Sequence, residues 1–338
     1  MKIKENDLYK LEKEKPEILL GKIKKKVKIS FIVPTYKRTK LLEECIKSIL
    51  AQKECCTYEI IIIDDNPDLK NRDNEELVKY LNRENILYYK NRKNLGIYNN
   101  MNMGSLLSNG EWICFLHDDD LLEKYFLEEI LNILENKPDI ALLDNRIKLL
   151  DMRTVKRKKN QVLKEFIKNK IYNTKKLMKL NKLDFYYYAD IGGVGTIINK
   201  KIFIKEGGFN NIYYPSSDYY LWINMFIKNY NMYIYNKQLS VRRFEENESL
   251  KLEVVEKFII NDFFLKEKLA GKTKILKKMK RYLCIRNINI WKKEWKINID
   301  EKKIYKILNM KDINKKDIVI SKLIGLFFIL RKLKRIMM

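Results

Sequence analysis

The stretch Tyr58 to Ile63, YEIIII, constrains the fold more than any other part of the chain. Four consecutive isoleucines leave no polar side chain for a solvent-facing side. Such a strand has to be covered on both faces, as in the middle of a parallel sheet with helices on either side. The run stops in Asp64, Asp65, Asn66 and Pro67, residues that favour a turn. Upstream, Val27 to Val33 reads as a strand closed by Pro34, with a loop at Thr35–Arg38. A helix over 41–50 follows, with Leu41, Leu42, Cys45, Ile46 and Ile49 on one face and Glu43 and Glu44 in the first turn. Strand, helix and strand form the opening unit of an α/β sheet.

The pattern continues with a polar helix at 72–84, a strand at 86–89, a loop at 91–96 and a helix at 97–109 carrying Met101, Leu106 and Leu107 inward. Trp112 to Leu116 is then an apolar strand running into Asp118, Asp119 and Asp120. Three adjacent carboxylates each raise the cost of ionising the next. A divalent cation with a preference for oxygen ligands would resolve this. A charged turn after an edge strand is the plainer alternative. Strands that end at Thr35–Arg38, Asp64–Asn66 and Asp118–Asp120 place three polar loops at one sheet edge, where open α/β sheets bind ligands. Further along we expect a helix over 122–135 ended by Pro138, a strand at 140–144 and a basic excursion at 151–182. Gly192, Gly193 and Gly195 suit either a close backbone approach to a ligand or a plain turn. Short strands are expected at 233–235 and 239–243.

A formal net charge of +26 seeks anions: nucleic acid, anionic lipid or nucleotide phosphate. Five cysteines without zinc-ligand spacing argue for a reducing compartment rather than a disulfide scaffold. The N-terminus is polar and shows no signal peptide, and no stretch reaches the roughly 20 apolar residues of a span. Residues 1–26 read as a charged lead-in and residues from 250 onward as basic helices. In the last of these, the apolar run Leu323–Leu330 is followed by Arg331, Lys332, Lys334 and Arg335. That suits a helix at an anionic membrane interface with its cations at the headgroups, or a helix packed on the domain or on a partner subunit.

The pieces SFIVPTYKR (30–38), LLEECIKSIL (41–50), EIIIIDDNP (59–67), NLG (94–96), NGEWICFLHDDD (109–120), KEGGF (205–209) and SSDYYLW (216–222) occur in an order that resembles the family 2 glycosyltransferases. The resemblance covers about residues 27–245. It implies a GT-A fold: a mixed, mostly parallel α/β sheet flanked by helices, here with a basic helical C-terminal extension. The organisation it implies is a lead-in at 1–26, a catalytic domain at 27–249 and a helical region at 250–338. Within the catalytic domain, 27–120 would be the nucleotide-binding half and 121–249 the acceptor side.

Laid over this chain, the family's nucleotide pocket falls on Pro34, Thr35, Tyr36 and Arg38, and its base-reading carboxylate on Asp65. Tyr36 would stack near the base or lie in the core. The Asp-x-Asp region falls on Asp118–Asp120, with Asp118 near ribose and metal and Asp119 and Asp120 as metal ligands for Mn²⁺ or Mg²⁺. His117 stands where the family usually has an aspartate; it is either a loop histidine or a further ligand. The catalytic base falls on Asp218, with Ser217 in place of the usual glutamate. The glycines at 192–195 match the region shaping the donor-sugar pocket. VRRFEENES (241–249) has Phe244 where relatives carry a histidine near the diphosphate, which leaves Arg242 or Arg243 to supply the charge.

The resemblance thus implies an inverting transfer from a nucleoside-diphosphate sugar, most often UDP-linked, to a glycan or lipid-linked glycan. Surface-glycan assembly such as lipopolysaccharide or capsule biosynthesis would be the setting, at the inner face of the cytoplasmic membrane. A basic nucleic-acid-binding protein and a noncatalytic domain of the same fold are the rival readings. No nucleic-acid partner is expected, and the oligomeric state stays open.

Overall fold

The computed structural model describes residues 7–22, 26–53, 55–152, 172–186, 191, 193–244, 250–293, 295–311 and 313–337. Gly192, most of the basic excursion and residues 245–249 of the closing segment lie outside these. The chain divides into two units. The first comprises residues 1–179, 191–211 and 229–244 and holds the whole sheet; the second comprises 180–190, 212–228 and 245–338.

In the first unit, Tyr58–Asp64 (β3) is buried along its full length. It pairs in parallel with Val27–Thr35 (β2) and Ile86–Lys90 (β4), and β2 pairs in parallel with Gly110–Phe115 (β5). The isoleucines serve both faces. Ile60 and Ile62 join the core that holds Leu42, Cys45, Ile46 and Ile49 of the helix Thr39–Leu50 (α2). On the other face, Ile32 and Ile63 lie under Gly104 of the helix Ile97–Leu107 (α4), where a Cβ would come 2.5 Å from Ile32 Cγ2. Burying each isoleucine contributes on the order of 1.5–3 kcal/mol.

Several expectations need correction. The lead-in holds a short helix, Asp7–Leu11 (α1), and a strand, Ile18–Leu20 (β1), that adds antiparallel to β4, and the polar helix expected at 72–84 runs Asp73–Leu81 (α3). The helix α2 begins at Thr39, so Glu43 and Glu44 lie beyond its first turn and pair with Lys47 and Arg243 instead. On α4 it is Tyr98 and residues 100–105 that are buried, while Leu106 and Leu107 are half-buried. Leu122 belongs to a two-residue strand, Leu121–Leu122 (β6), and the helix that follows runs Phe126–Asn136 (α5). The strand expected at 140–144 runs on as Leu142–Asp151 (β7). The two strands expected near the end are one, Met232–Phe244 (β10), parallel to β7. Asn236 and Lys237 interrupt its apolar pattern where the register shifts between Tyr235 and Gln238, as at a bulge.

With Leu177–Lys179 (β8) and Thr196–Asn199 (β9), the sheet has ten strands in the order β1-β4-β3-β2-β5-β9-β7-β10-β6, with β8 on β10. It is a mixed sheet whose segment β4-β3-β2-β5 is parallel throughout.

Two glycine-bearing segments have structural causes. Gly208 is at φ +65°, and a Cβ there would lie 2.5 Å from Asn102 Oδ1. This lets Asn102 bracket Phe209, donating to its carbonyl at 2.7 Å and accepting from its N–H at 2.8 Å. The Phe209 ring then packs on Phe115 and Phe203, 5.0 and 5.1 Å between centroids. Gly195, at φ +68°, makes its close approach to Phe126, Asn145 and Leu122.

The second unit is helical: Lys182–Tyr186 (α6), Ser217–Ile227 (α8), Leu252–Ala270 (α9), Lys274–Lys293 (α10), Glu301–Ile307 (α11) and Lys315–Met337 (α12); the helix Lys200–Lys205 (α7) belongs to the first unit. Val255, Ile259, Phe263, Cys284, Ile288, Ile299, Ile304 and Leu308 form its core. In α12, Arg331 and Arg335 are not free headgroup cations as the sequence suggested. Both pair with Asp184, and Arg331 also donates to Asn181 Oδ1 at 2.7 Å.

Candidate active site

The carboxyl ends of β2, β3, β4 and β5 meet along one edge of the first unit. Pairing of β2 with β5 ends at Ile32↔Phe115, while pairing with β3 continues to Thr35↔Asp64. Pro34 lacks the N–H that would extend the β5 side. The two strands part there. Thr35 Oγ1 donates to Asp118 at 2.8 Å. Arg38 Nη1 lies 3.4 Å from Asp118 and 3.2 Å from Asp119. Tyr36 is not a core tyrosine: the residue is 45% exposed, with Lys37 Nζ 5.2 Å from its ring centroid.

The three acids have different surroundings. Asp118 is buried, and desolvation pushes its carboxyl up to about 6 against the opposing pull of Thr35 and Arg38. Asp120 is buried as well. Desolvation, then the charge of Asp119, raises its proton affinity, while Arg242 and the N–H of Arg243 lower it. That N–H donates to Asp120 Oδ1 at 3.2 Å, because β6 pairs Leu121 and Leu122 with Val241 and Ser240 of β10. Asp119 is the more open of the three. A ring nitrogen of His117 and one carboxylate oxygen each of Asp119 and Asp120 lie within 4.8 Å of one another. One nitrogen and two oxygens, in a cluster whose buried acids resist ionisation together, fit a divalent cation. Asp118 stands outside that ligand set, tied to Thr35 and Arg38.

Asp64, at the end of β3, and Asp65, just beyond it, hold the edge together. Asp64 is fully buried and accepts from Asn66 N, Asn74 Nδ2 and Tyr88 Oη at 2.9, 3.0 and 2.8 Å. Asp65 accepts from Asn91 Nδ2 and Leu95 N on Oδ1 at 2.9 and 2.8 Å, and from Gly96 N on Oδ2 at 2.9 Å. Burial raises its proton affinity. Three of its roughly four lone-pair sites are thus taken, leaving room for one further donor on Oδ2. Asn91, which sequence reasoning treated only as loop, also donates to Asn100 Oδ1 at 2.7 Å. Asn91 Oδ1 and Asn66 Nδ2 are buried without a protein partner among the described residues. An unmet buried polar atom costs about 1–3 kcal/mol, a cost that a ligand with a polar edge would offset here.

On the closing strand, Arg243 is committed to Glu44. The charge of Arg242 reaches Asp120. In the second unit, Asp218 lies half-buried in the first turn of α8, where its Oδ1 accepts from Tyr219 N at 2.7 Å. The N-cap of that helix is Ser216, not Asp218.

The family model described as glycosyl transferase family 2 matches residues 30–205. Asp218 lies beyond that segment. A Campylobacter jejuni protein named GalNAc(5)-diNAcBac-PP-undecaprenol beta-1,3-glucosyltransferase is 30% identical over 233 residues, 67% of each chain. An uncharacterized glycosyltransferase of Haemophilus influenzae is 26% identical over 192 residues, 56% of this chain and 59% of its own length. Among solved structures, S. aureus TarS 1-349 in complex with UDP superimposes with a TM-score of 0.57 at 16% identity, covering 84% of this chain and 78% of that one. At that identity the likeness establishes the fold.

Proposed function

The chain belongs to the family 2 glycosyltransferases, and from that premise we propose that it moves a sugar from a nucleoside-diphosphate sugar to a hydroxyl of a glycan or lipid-linked glycan, with inversion. One observation carries the reading. Thr35, the last residue of β2, and Arg38 in the loop after it converge on Asp118 and Asp119 in the loop after β5, so one edge offers both cation and carboxylate chemistry to a diphosphate.

In this reading Asp65, Asn66 and Asn91 take the base, with the unmet amide atoms completed by its polar edge. Tyr36 covers it from the solvent side. Thr35 holds Asp118 toward the ribose. Asp119 and Asp120, joined by His117, hold Mn²⁺ or Mg²⁺, which when bound offsets charge on the departing diphosphate. Arg38 and Arg242 add fixed positive charge on either side of the acids. Asp218 accepts the proton of the acceptor hydroxyl as its oxygen bonds to the anomeric carbon. The bond from that carbon to the diphosphate oxygen breaks, and its electron pair leaves with the nucleotide. No covalent intermediate is required.

UDP is the nucleotide we assign, supported by the UDP held in the TarS neighbour. A lipid-linked acceptor is supported by the name of the Campylobacter relative. Residues 27–120 would form the nucleotide half and 121–249 the acceptor side. The setting would be surface-glycan assembly, of lipopolysaccharide or capsule, by a protein peripheral to the inner face of the cytoplasmic membrane. Titration calorimetry tests the donor site. UDP should bind with Mn²⁺ or Mg²⁺ present and weaken at least about 10-fold in EDTA, in line with the cost of perturbing metal sites. Equal affinity in all three conditions would remove the metal from the account.

A further inference from the structure

An ordinary surface helix buries its apolar stripe and shows water its polar face. The helix α12 departs from this, with more of its apolar residues outward than buried. Its inward face carries Asp317, paired with Arg281 at 3.1 Å, then Ser321, Gly325 and Phe328, then Arg331 and Arg335 on Asp184, and Ile336. At Gly325 the Arg286 side chain crosses so closely that a Cβ would meet its Nε at 2.5 Å. Outward stand Ile318, Val319, Leu323, Leu326, Phe327, Ile329 and Leu330, between 37% and 60% exposed. The remaining exposed positions of the helix are Lys315, Lys316, Lys322 and Lys334. Among the described side chains of α12, every exposed one is therefore either apolar or lysine, and the one acid is turned inward.

We propose that this outward face docks flat on an anionic lipid surface. Its leucines and Phe327 would enter the acyl boundary while the four lysines reach the headgroups. No helix among the described residues is long and apolar enough to cross a membrane, so an in-plane helix is the form such a contact takes. Lysine stems lie along apolar surface while their ammonium groups extend to the phosphates. Charge complementarity selects the occupant. A second copy would bring lysines against lysines on a chain of net charge +26, whereas acidic headgroups neutralise them. The ion pairs to Asp184 and Arg281 hold the polar side down and keep the apolar side outward. The proposal rests on the peripheral-membrane part of the reading above and not on the donor chemistry.

The test uses the full chain and the double variant Leu326→Gln/Phe327→Gln, co-sedimented with phosphatidylcholine vesicles with and without phosphatidylglycerol. The unaltered protein should sediment with the anionic vesicles and much less with the neutral ones. The variant should lose at least about 10-fold in partitioning, with its UDP affinity and melting temperature unchanged. If the variant binds the anionic vesicles equally well, the docking face is wrong while peripheral association stands. If the unaltered protein binds neither vesicle, both fall and the donor site is untouched. If it instead elutes as a dimer that the variant dissociates, the face joins two copies and the proposal is overturned.

Discussion

Asp218→Asn should lower the transfer rate by about 10² to 10⁴, the usual cost of losing a general base. Donor affinity should hardly change, because the nucleotide and metal contacts we assign lie at and just beyond the carboxyl ends of β2, β3, β4 and β5 and on β10. The substitution separates two roles. Asparagine keeps the size of aspartate and its preference for helix starts, so a residue needed only for the helix would tolerate it. The N-cap of α8 is Ser216, and Asp218 accepts from Tyr219 N within the first turn, a bond that an asparagine carbonyl also accepts. What asparagine cannot do is take a proton. Rates and UDP affinity measured on one folded preparation decide the matter. Near-normal transfer would assign Asp218 to the helix and leave the base elsewhere.

Asp119→Ala should uncouple nucleotide binding from the metal. Among the three acids it is the cleanest to remove. Asp118 is held by Thr35, and Asp120 by the N–H of Arg243, so substituting either disturbs the frame. Asp119 contacts Arg38, which keeps Asp118 as its other partner. Changes to groups that merely orient a metal ligand already cost about 10- to 100-fold in metal affinity, and a ligand itself should cost at least that much. Calorimetry with Mn²⁺ should show the variant binding UDP about as weakly as the unaltered protein does in EDTA. A variant that retains the full Mn²⁺ dependence would move the ion off Asp119.

The half of the fold that faces the proposed nucleotide was legible because its signals are local. An unbroken apolar run ending in acids identifies a covered strand, and Ile60–Ile63 behaves accordingly. The edge that results follows from chain order alone. What was not legible depends on partners far apart in sequence. The strand at Ile18–Leu20 has three residues in a charged segment, and only pairing with β4 defines it. β10 reads as two strands because Asn236 and Lys237 interrupt its pattern, yet Asn236 accepts from Arg146 at 2.8 Å and Lys237 pairs with Glu129, so the ladder runs on. Asn91 looked like loop filler until Asp65 and Asn100 were found on either side of it. From sequence His117 fits two roles, and it is the turn through 117–120 that brings its ring beside Asp119 and Asp120. The tail helix presents its apolar residues to solvent, but part of its positive charge is neutralised within the protein. No composition count could show that Arg331 and Arg335 are spent on Asp184.

The central claim is that this edge binds a nucleotide sugar and cleaves its glycosyl bond. The most direct measurement is release of nucleoside diphosphate from a panel of UDP-, GDP- and dTDP-sugars, each with Mn²⁺ and with EDTA. Slow release from one UDP-sugar in Mn²⁺, absent in EDTA and accelerated by a lipid-linked glycan, is the predicted result. No release and no binding across the panel, from folded protein that retains DNA or RNA at moderate salt, would contradict it.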